Sequence, residues 1–196
     1  MLLGPFPTKG DRPEDFRDAM IQSVIALRKA AGLLAERADV DPARIVVAGH
    51  SFGAMMAAVA ITVDPRFRAA VFEGGLLGMS IHFGTSPAPE MANLRKELGT
   101  GLAHYLDVIS VVDAKHYIGH APAIPKLFQS AWFDAGVPRQ DSKDFYYAAT
   151  EPKELRWYDT GHDIDDIAVM ADRARFLGKV LDLPAVERVL RGKIGQ

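Results

Sequence analysis

The sequence predicts an α/β protein in which helices cover both faces of a mainly parallel sheet, giving a three-layer sandwich. The first observation is that short apolar runs of strand length alternate with longer stretches that repeat apolar residues every three or four positions. The second is the pentapeptide Gly-His-Ser-Phe-Gly at 49–53, which lies between an apolar strand pattern and a run of small residues that predicts a buried helix. Strands joined through helices form right-handed crossovers, and the sheet is therefore expected to be parallel.

Length and composition point to one ordinary globular unit. The chain has 196 residues, enough for a real core, and we predict a single domain over residues 1–196. The net charge of -2 gives no electrostatic reason to expect binding to nucleic acid or to an anionic membrane. Because the chain has no cysteine, disulfides, thiolate metal sites and a cysteine nucleophile are excluded. Without a transmembrane-length apolar run or a signal-peptide pattern, we predict a cytoplasmic location.

The first part of the chain is predicted to contain two helices and one strand. Residues 1–10 are expected to be a loop or the end of a strand. A long amphipathic helix is predicted from Pro13 to a point before Asp41, because the residue preceding a proline resists the helical conformation. The strand at 45–48 is apolar throughout, as expected of a strand covered on both faces. The helix after the pentapeptide is predicted to end near Val63.

An insertion is predicted after the second strand, residues 69–72. Residues 76–123 interrupt the alternation of strand and helix, and helical patterns cover 94–106 and 109–117. A long insertion on the ligand side of a parallel sheet is usually a cap or lid over the site. An elaborated crossover helix is an equally good interpretation, so both remain open.

The last third of the chain is predicted to complete the sheet. Two strands are expected at 124–129 and 155–158, with a short helix at 142–150 between them. A closing helix is predicted at 164–181, with a buried face at helical spacing: Ile167, Met170, Ala174 and Leu177. A short helix around Val186 follows.

Three side chains suited to nucleophilic catalysis follow predicted strands. Ser51, Asp134 and His162 all fall at strand carboxyl ends, the edge where open parallel sheets bind ligands. A serine hydroxyl is a poor nucleophile at neutral pH, but an imidazole can take its proton and later return it to the leaving group. A carboxylate holds that imidazole in the right tautomer. We therefore expect the three to converge, with the serine at the apex of a strained strand-to-helix turn.

These motifs resemble the α/β-hydrolase superfamily, most closely its dienelactone-hydrolase-like and acetyl-esterase-like branches. The resemblance begins with residues 39–45, which lead into 49–53, and covers most of residues 12–180. Three further segments are similar to the superfamily: residues 64–67, 133–138 and 152–162. The order serine, acid, histidine is also the order of the superfamily's catalytic triad.

The resemblance implies a serine hydrolase that uses no cofactor or metal. It assigns Ser51 as the nucleophile, Asp134 as the acid and His162 as the base, and the Phe52 backbone N–H would form half of the oxyanion hole. Dienelactone hydrolases proper use cysteine, so a serine favours a small-molecule substrate, a short-chain carboxylic ester cleaved through an acyl-enzyme. A peptidase or amidase with the same triad, and an inactive hydrolase-like remnant that binds or scaffolds, are the alternatives.

The chain departs from the superfamily in its number of strands. Only four can be placed, and the strands expected before the first helix, with the loop that donates the second oxyanion N–H, are missing from the pattern. The fold is therefore predicted to be a truncated α/β-hydrolase fold with a helical insertion. The strand at 45–48 would be an open apolar edge, and we expect a second copy of the chain to cover it in a homodimer.

Several residues compete for roles at the site. Glu73 also ends a strand and is the rival acid, although Asp134 is favoured. His50, beside the nucleophile, is predicted to contact substrate, with packing or hydrogen bonding as the alternative. Trp132, Phe133 and Met79 are predicted to line the acyl pocket, with core packing equally plausible.

The remaining histidines have weaker interpretations. His116 and His120 have the spacing of two metal ligands on one helix face, but Gly119 and the lack of a nearby third ligand favour a solvated or cap-lining pair. His82 and His104 lie in the insertion, where they could line a substrate pocket or lie on the surface.

Overall fold

The computed structural model describes residues 12–194 and contains one parallel four-stranded sheet with strand order β1-β2-β3-β4. The strands are β1 (Val47–His50), β2 (Ala70–Glu73), β3 (Lys126–Ala131) and β4 (Lys153–Tyr158). The helices of these residues are α1 (Pro13–Ala35), α2 (Phe52–Val63), α3 (Met79–Thr85), α4 (Pro89–Leu98), α5 (Leu102–Ser110), α6 (Arg139–Ala148), α7 (Ile167–Val180) and α8 (Ala185–Ile194). The loop or strand end predicted at 1–10 lies outside the described residues. Among residues 12–194, no helix is long and apolar enough to cross a membrane.

Helices cover both faces of the sheet, as predicted. On one face, Phe72 and Phe128 pack with α2, α6 and the insertion in the main hydrophobic cluster. On the other face, Val71 and Leu127 pack against Phe176 of α7. Because all four strands run in the same direction, their carboxyl ends meet at one edge, and the residues that follow them are brought together there.

The helix α2 is almost completely buried. Its residues from Ala54 to Ile61 are all buried, and the four alanines among them allow the helix to lie close to its neighbours. The amphipathic α1 packs against α2 through Met20, Val24 and Ala31. The first turn of α2, which follows Ser51, is therefore held firmly against the sheet.

The insertion consists of α3, α4, α5 and three short 3₁₀ turns. Its residues Phe83, Leu94 and Ile109 belong to the main cluster, so the insertion shares the core of the sheet. The prediction of a helix at 109–117 is wrong. The helix α5 ends at Ser110, and the chain turns there so that the carboxylate of Asp113 can accept hydrogen bonds from the start of α3.

The closing helix differs from its prediction in its start and in its buried face. The helix α7 begins at Ile167, capped by Asp166, whose side chain accepts a hydrogen bond from the backbone N–H of Ala168 at 2.7 Å. Ile164 lies before the cap with a φ of 47°. This later start turns Ile167 to solvent and places Val169 against the sheet.

The strand β1 is the edge of the described sheet. Val47 is buried but Ala48 is exposed, so the prediction that this strand is covered on both faces is wrong. The edge opens into a groove of about 290 Å³, lined by residues of α1, β1 and α2 that include Leu27, Ala48 and Met56.

Candidate active site

Ser51 occupies a strained turn between β1 and α2. Its backbone has φ 53° and ψ -118°, a conformation that non-glycine residues rarely adopt. Its N–H donates to the backbone oxygen of Glu73 at 2.7 Å, which ties the turn to β2. A Cβ at Gly49 would lie 2.3 Å from the backbone oxygen of Gly53, so this position requires glycine, whereas a Cβ at Gly53 would meet nothing within 4 Å.

The structure brings Ser51, His162 and Asp134 into one hydrogen-bonded chain. The Nε2 of His162 lies 2.9 Å from the Oγ of Ser51. The Nδ1 of the same ring lies 2.8 Å from Oδ2 and 2.9 Å from Oδ1 of Asp134. The three residues follow β1, β4 and β3, so the common edge of the sheet assembles them.

Asp134 is held as a carboxylate. Its side chain is 2% exposed, and its Oδ1 accepts hydrogen bonds from the backbone N–H groups of Gly136 at 2.8 Å and Val137 at 2.7 Å. Burial by itself would raise the pKa of Asp134, but the hydrogen bonds from His162 and these two N–H groups outweigh it, and the pKa is lowered.

The ionised Asp134 also fixes the tautomer of His162. A carboxylate only accepts hydrogen bonds, so Nδ1 of His162 carries the proton and Nε2 is left to accept the hydroxyl proton of Ser51. The hydrogen bond to Asp134 raises the pKa of His162, burial opposes that increase, and the negative charge of Asp163 adds to it. The imidazole is therefore a stronger base than an ordinary histidine side chain.

The backbone passes close to this pair at two glycines. A Cβ at Gly74, whose φ is 55°, would lie 3.6 Å from both Oδ2 of Asp134 and Cε1 of His162. A Cβ at Gly136 would lie 3.5 Å from Oδ1 of Asp134 and from Nδ1 of His162. The loops after β2 and β3 thus enclose the carboxylate and the ring from two sides.

His50 forms a hydrogen bond, the alternative to substrate contact that the sequence left open, and its contact with substrate stays a prediction. Its Nε2 donates to the backbone oxygen of His162 at 2.6 Å, and the two rings lie 4.9 Å apart. The residue next to the nucleophile therefore supports the main chain of the residue predicted to be the base. The spacing of the pentapeptide carries no signal for this contact, since 112 positions separate His50 from His162.

Glu73, the rival acid, is engaged elsewhere. Its carboxylate forms an ion pair with Arg173 of α7, while its backbone oxygen holds the N–H of Ser51. The structure thus places Asp134, and not Glu73, against Nδ1 of His162.

The two aromatic residues predicted to contact substrate lie in the loop after β3. The ring of Trp132 stacks on Trp157 of β4 at 4.7 Å, with the guanidinium of Arg139 5.5 Å from its centre. Phe133 is 70% exposed, and its N–H donates to the backbone oxygen of Thr160 at 3.1 Å, which joins the loops that carry Asp134 and His162. Their contact with substrate stays a prediction.

Phe52, whose N–H is the predicted oxyanion donor, directly follows Ser51. It is the first residue of α2, so its N–H has no acceptor within the helix. The partial positive charge at the N-terminus of this 12-residue helix also favours negative charge beside Ser51.

The other four histidines differ in how far they are exposed to solvent. His116 and His120 are exposed on two different 3₁₀ turns and do not share a helix face. Within residues 12–194, no group of three side chains suited to metal binding is present. In the insertion His104 is exposed, but His82 is 8% exposed and the pKa of its ring is lowered by burial.

Solved structures of α/β hydrolases have the same fold. Acetyl xylan esterase 1 from Thermoanaerobacterium sp. JW/SL YS485 superposes with a TM-score of 0.66 at 17% identity, over 92% of this chain and 60% of that protein. A puromycin-hydrolyzing peptidase from Mycobacterium tuberculosis gives a TM-score of 0.67 at 22% identity, over 84% of this chain and 26% of the peptidase. Identities this low show the fold alone, and the predicted α/β-hydrolase fold is confirmed.

Sequence relatives and a family model give the closer assignment. The protein YfhR of Escherichia coli O157:H7, called uncharacterized, is 26% identical over 138 residues, and that of Salmonella typhi is 29% identical over 140 residues. The chain spans only 44% and 46% of the length of these two relatives. The model of the prolyl oligopeptidase family matches residues 22–146, well over half of the chain, including Ser51 and Asp134. The chain belongs to the prolyl oligopeptidase family.

Proposed function

We propose that this protein is a serine hydrolase that cleaves short-chain carboxylic esters through an acyl-enzyme at Ser51. One observation carries the proposal: Nε2 of His162 lies 2.9 Å from Oγ of Ser51 while Asp134 occupies Nδ1 of the same ring. This is the arrangement that proton transfer from a serine nucleophile requires. Membership of the prolyl oligopeptidase family supports hydrolysis in general.

In the proposed reaction, His162 takes up and returns the proton at each stage. Oγ of Ser51 attacks the carbonyl carbon of the ester, and Nε2 of His162 takes the hydroxyl proton. The resulting imidazolium is stabilised by the buried carboxylate of Asp134. The tetrahedral intermediate then expels the alcohol, which leaves with the proton from Nε2. A water molecule, deprotonated by the same nitrogen, releases the carboxylic acid and restores Ser51.

The oxyanion of this intermediate would be stabilised at the start of α2. The N–H of Phe52 has no intrahelical acceptor, and the helix dipole points toward the same place. Removing one oxyanion donor costs about 3 kcal/mol in serine hydrolases, so this single group is expected to matter for turnover.

Labelling with a fluorophosphonate tests the nucleophile directly. The purified protein is expected to take up one equivalent, with the mass increase located on the peptide that contains Ser51, and to hydrolyse nitrophenyl acetate. Both properties should disappear in Ser51→Ala, while Ser110→Ala, which changes an unrelated helix-terminal serine, should keep them. A folded protein whose Ser51 does not label would favour the inactive remnant.

Amide or peptide hydrolysis is the second candidate. The name of the matched family and a structural relative described as a puromycin-hydrolyzing peptidase favour it. The chemistry at Ser51 would be the same, but the amine leaving group would need its proton from His162 earlier. Parallel assays of an ester and the anilide of the same acyl group would distinguish the two, since an esterase should strongly prefer the ester.

A further inference from the structure

The peptide unit that joins Glu73 to Gly74 lies between the three residues of the candidate active site. Its carbonyl oxygen, which belongs to Glu73, accepts the backbone N–H of Ser51 at 2.7 Å. A Cβ at Gly74 would lie 3.6 Å from both Oδ2 of Asp134 and Cε1 of His162, so the backbone there passes close to the other two residues. The position of this one peptide unit therefore affects how the nucleophile faces the base.

This peptide unit marks the point where β2 leaves the sheet. The N–H of Gly74 donates to the backbone oxygen of Gln129 at 2.9 Å, which is the last backbone hydrogen bond from β2 to β3. The φ of Gly74 is 55°, and the chain turns there toward α3. The end of a strand opens more easily than its middle unless contacts outside the sheet hold it. The side chain of Glu73 provides such a contact.

The Glu73 carboxylate is held by Arg173 of α7. Its Oε1 accepts a hydrogen bond from Nη1 of Arg173, and the two side chains form an ion pair. Glu73 is 7% exposed, so water can replace the guanidinium only poorly. The ion pair therefore fixes the end of β2 to a helix that lies 100 positions further along the chain.

The helix α7 is a firm support for this contact. The side-chain amide of Gln129 on β3 donates to the backbone oxygen of Val169 at 3.0 Å. The hydroxyl of Tyr158 on β4 donates to Oδ2 of Asp172 at 3.1 Å. The second half of α7 packs against the apolar face of the sheet. The helix is thus attached to β3 and β4 independently of Arg173, which supplies the ion pair to β2.

We propose that Arg173 is a positioning residue for Ser51, which it holds in place through Glu73. The proposal rests on the proposed function of Ser51 and adds a residue that touches neither the substrate nor the reacting atoms. The φ of 53° at Ser51 is strained, and the hydrogen bond to the Glu73 oxygen is one of the contacts that maintain it. If the end of β2 is released, the 2.9 Å separation between Oγ of Ser51 and Nε2 of His162 is no longer enforced. Small misplacements of reacting groups slow a reaction severely.

The test replaces Arg173 by Met, which keeps an unbranched side chain but has neither donors nor charge. We expect kcat for nitrophenyl acetate and the rate at which an alkyl fluorophosphonate labels Ser51 both to fall about tenfold. KM should change by less than about twofold, since no contact with substrate is removed. Arg173→Lys, which can still donate to Glu73, should restore part of both losses. The matched control is Arg175→Met, which removes an ion-paired arginine from the same helix and should leave both rates unchanged.

A purely structural role for the ion pair predicts a different result. In that case Arg173→Met would unfold at a lower urea concentration, but the folded variant would keep the kcat and the labelling rate of the parent. That outcome would overturn the proposal. If Arg173→Met does not fold by circular dichroism, Arg173→Gln removes the charge, keeps a polar side chain and should show the same loss of both rates.

The pH profile separates positioning from a direct effect of the Arg173 charge. The pH at which kcat/KM rises should be the same in Arg173→Met and the parent, because Asp134 is the main cause of the raised pKa of His162 and is unchanged. A shifted profile would show that Arg173 acts on the base through its charge, and would overturn the positioning role. Absence of labelling in the parent would overturn the function of Ser51 instead.

Discussion

Replacing Asp134 by Asn should disable the proton acceptor while leaving the fold intact. An Asn oxygen can still accept the N–H groups of Gly136 and Val137, now 2.8 and 2.7 Å from Oδ1. Its NH₂ group would then face Nδ1 of His162 at about the present 2.8 Å. The Asn NH₂ and the Nδ1–H of His162 are both donors and cannot hydrogen-bond to each other. The ring proton therefore moves to Nε2, where it faces Ser51 and blocks proton transfer. We expect kcat to fall about 10⁴-fold, which corresponds to about 5 kcal/mol.

The assay is the pH profile of nitrophenyl acetate hydrolysis, with folding checked by circular dichroism. In the parent, kcat/KM should rise with pH through the raised pKa of His162, because only the neutral imidazole accepts a proton. Residual activity of Asp134→Asn should rise at a lower pH, since the main cause of the raised pKa has been removed. The control, Asp163→Asn, changes an exposed carboxylate with a smaller influence on the ring and should alter kcat less than about fivefold. A folded Asp134→Asn variant that kept kcat within tenfold of the parent would refute this reasoning.

Four other perturbations follow from the same structure. Gly49→Ala places a Cβ 2.3 Å from a backbone oxygen and should lower the free energy of unfolding, measured in urea, by about 3 kcal/mol. The control, Gly53→Ala, meets no neighbouring atom and should change that free energy by about 1 kcal/mol or less. Equal losses in the two variants would contradict the steric explanation. Asp64 is 2% exposed, and hydrogen bonds from a guanidinium lower its pKa. Asp64→Asn should therefore lower the free energy of unfolding, measured in urea at neutral pH, by about 1–3 kcal/mol. The difference between parent and variant should shrink as the pH falls below about 4, because the Asp64 carboxyl stabilises the fold only while it is ionised. His50→Phe removes the donor to the backbone oxygen of His162 and should lower kcat about tenfold. His50→Gln, which can still donate, should restore part of the loss. Equal kcat values in the two variants would show that the hydrogen bond is irrelevant. The homodimer stays a prediction: size-exclusion chromatography should show a dimer that Ala48→Lys converts to a monomer, and a monomeric parent would contradict it.

The convergence of Ser51, Asp134 and His162 was predictable because it depends on topology. Each of the three follows a predicted strand, and the carboxyl ends of parallel strands meet at one edge regardless of the side chains between them. The strained turn at Ser51 was also predictable, since a G-x-S-x-G sequence between a strand and a helix leaves few other conformations.

The burial of particular side chains was not predictable at the same level. Ile167 and Met170 have helical spacing, yet they are 69% and 48% exposed because the Asp166 cap sets where α7 begins. His82 and His104 are both followed by an aromatic residue but differ in burial: most of α3 around His82 is buried, whereas Ala103 and His104 at the start of α5 are exposed. Such differences arise from contacts between distant segments, which spacing along the chain does not encode.

Glu73 shows why a residue at the right edge of the sheet need not take part in proton transfer. Its backbone oxygen holds the N–H of Ser51 at 2.7 Å, and its carboxylate pairs with Arg173 on α7, the helix that follows the His162 loop. One residue of β2 therefore contacts both the turn of the nucleophile and the helix beyond the base. A positive φ at Ser51 persists only where the surroundings determine it, and this contact contributes to that constraint. Glu73 is thus engaged with Ser51 and Arg173, and Asp134 is the carboxylate that contacts Nδ1 of His162.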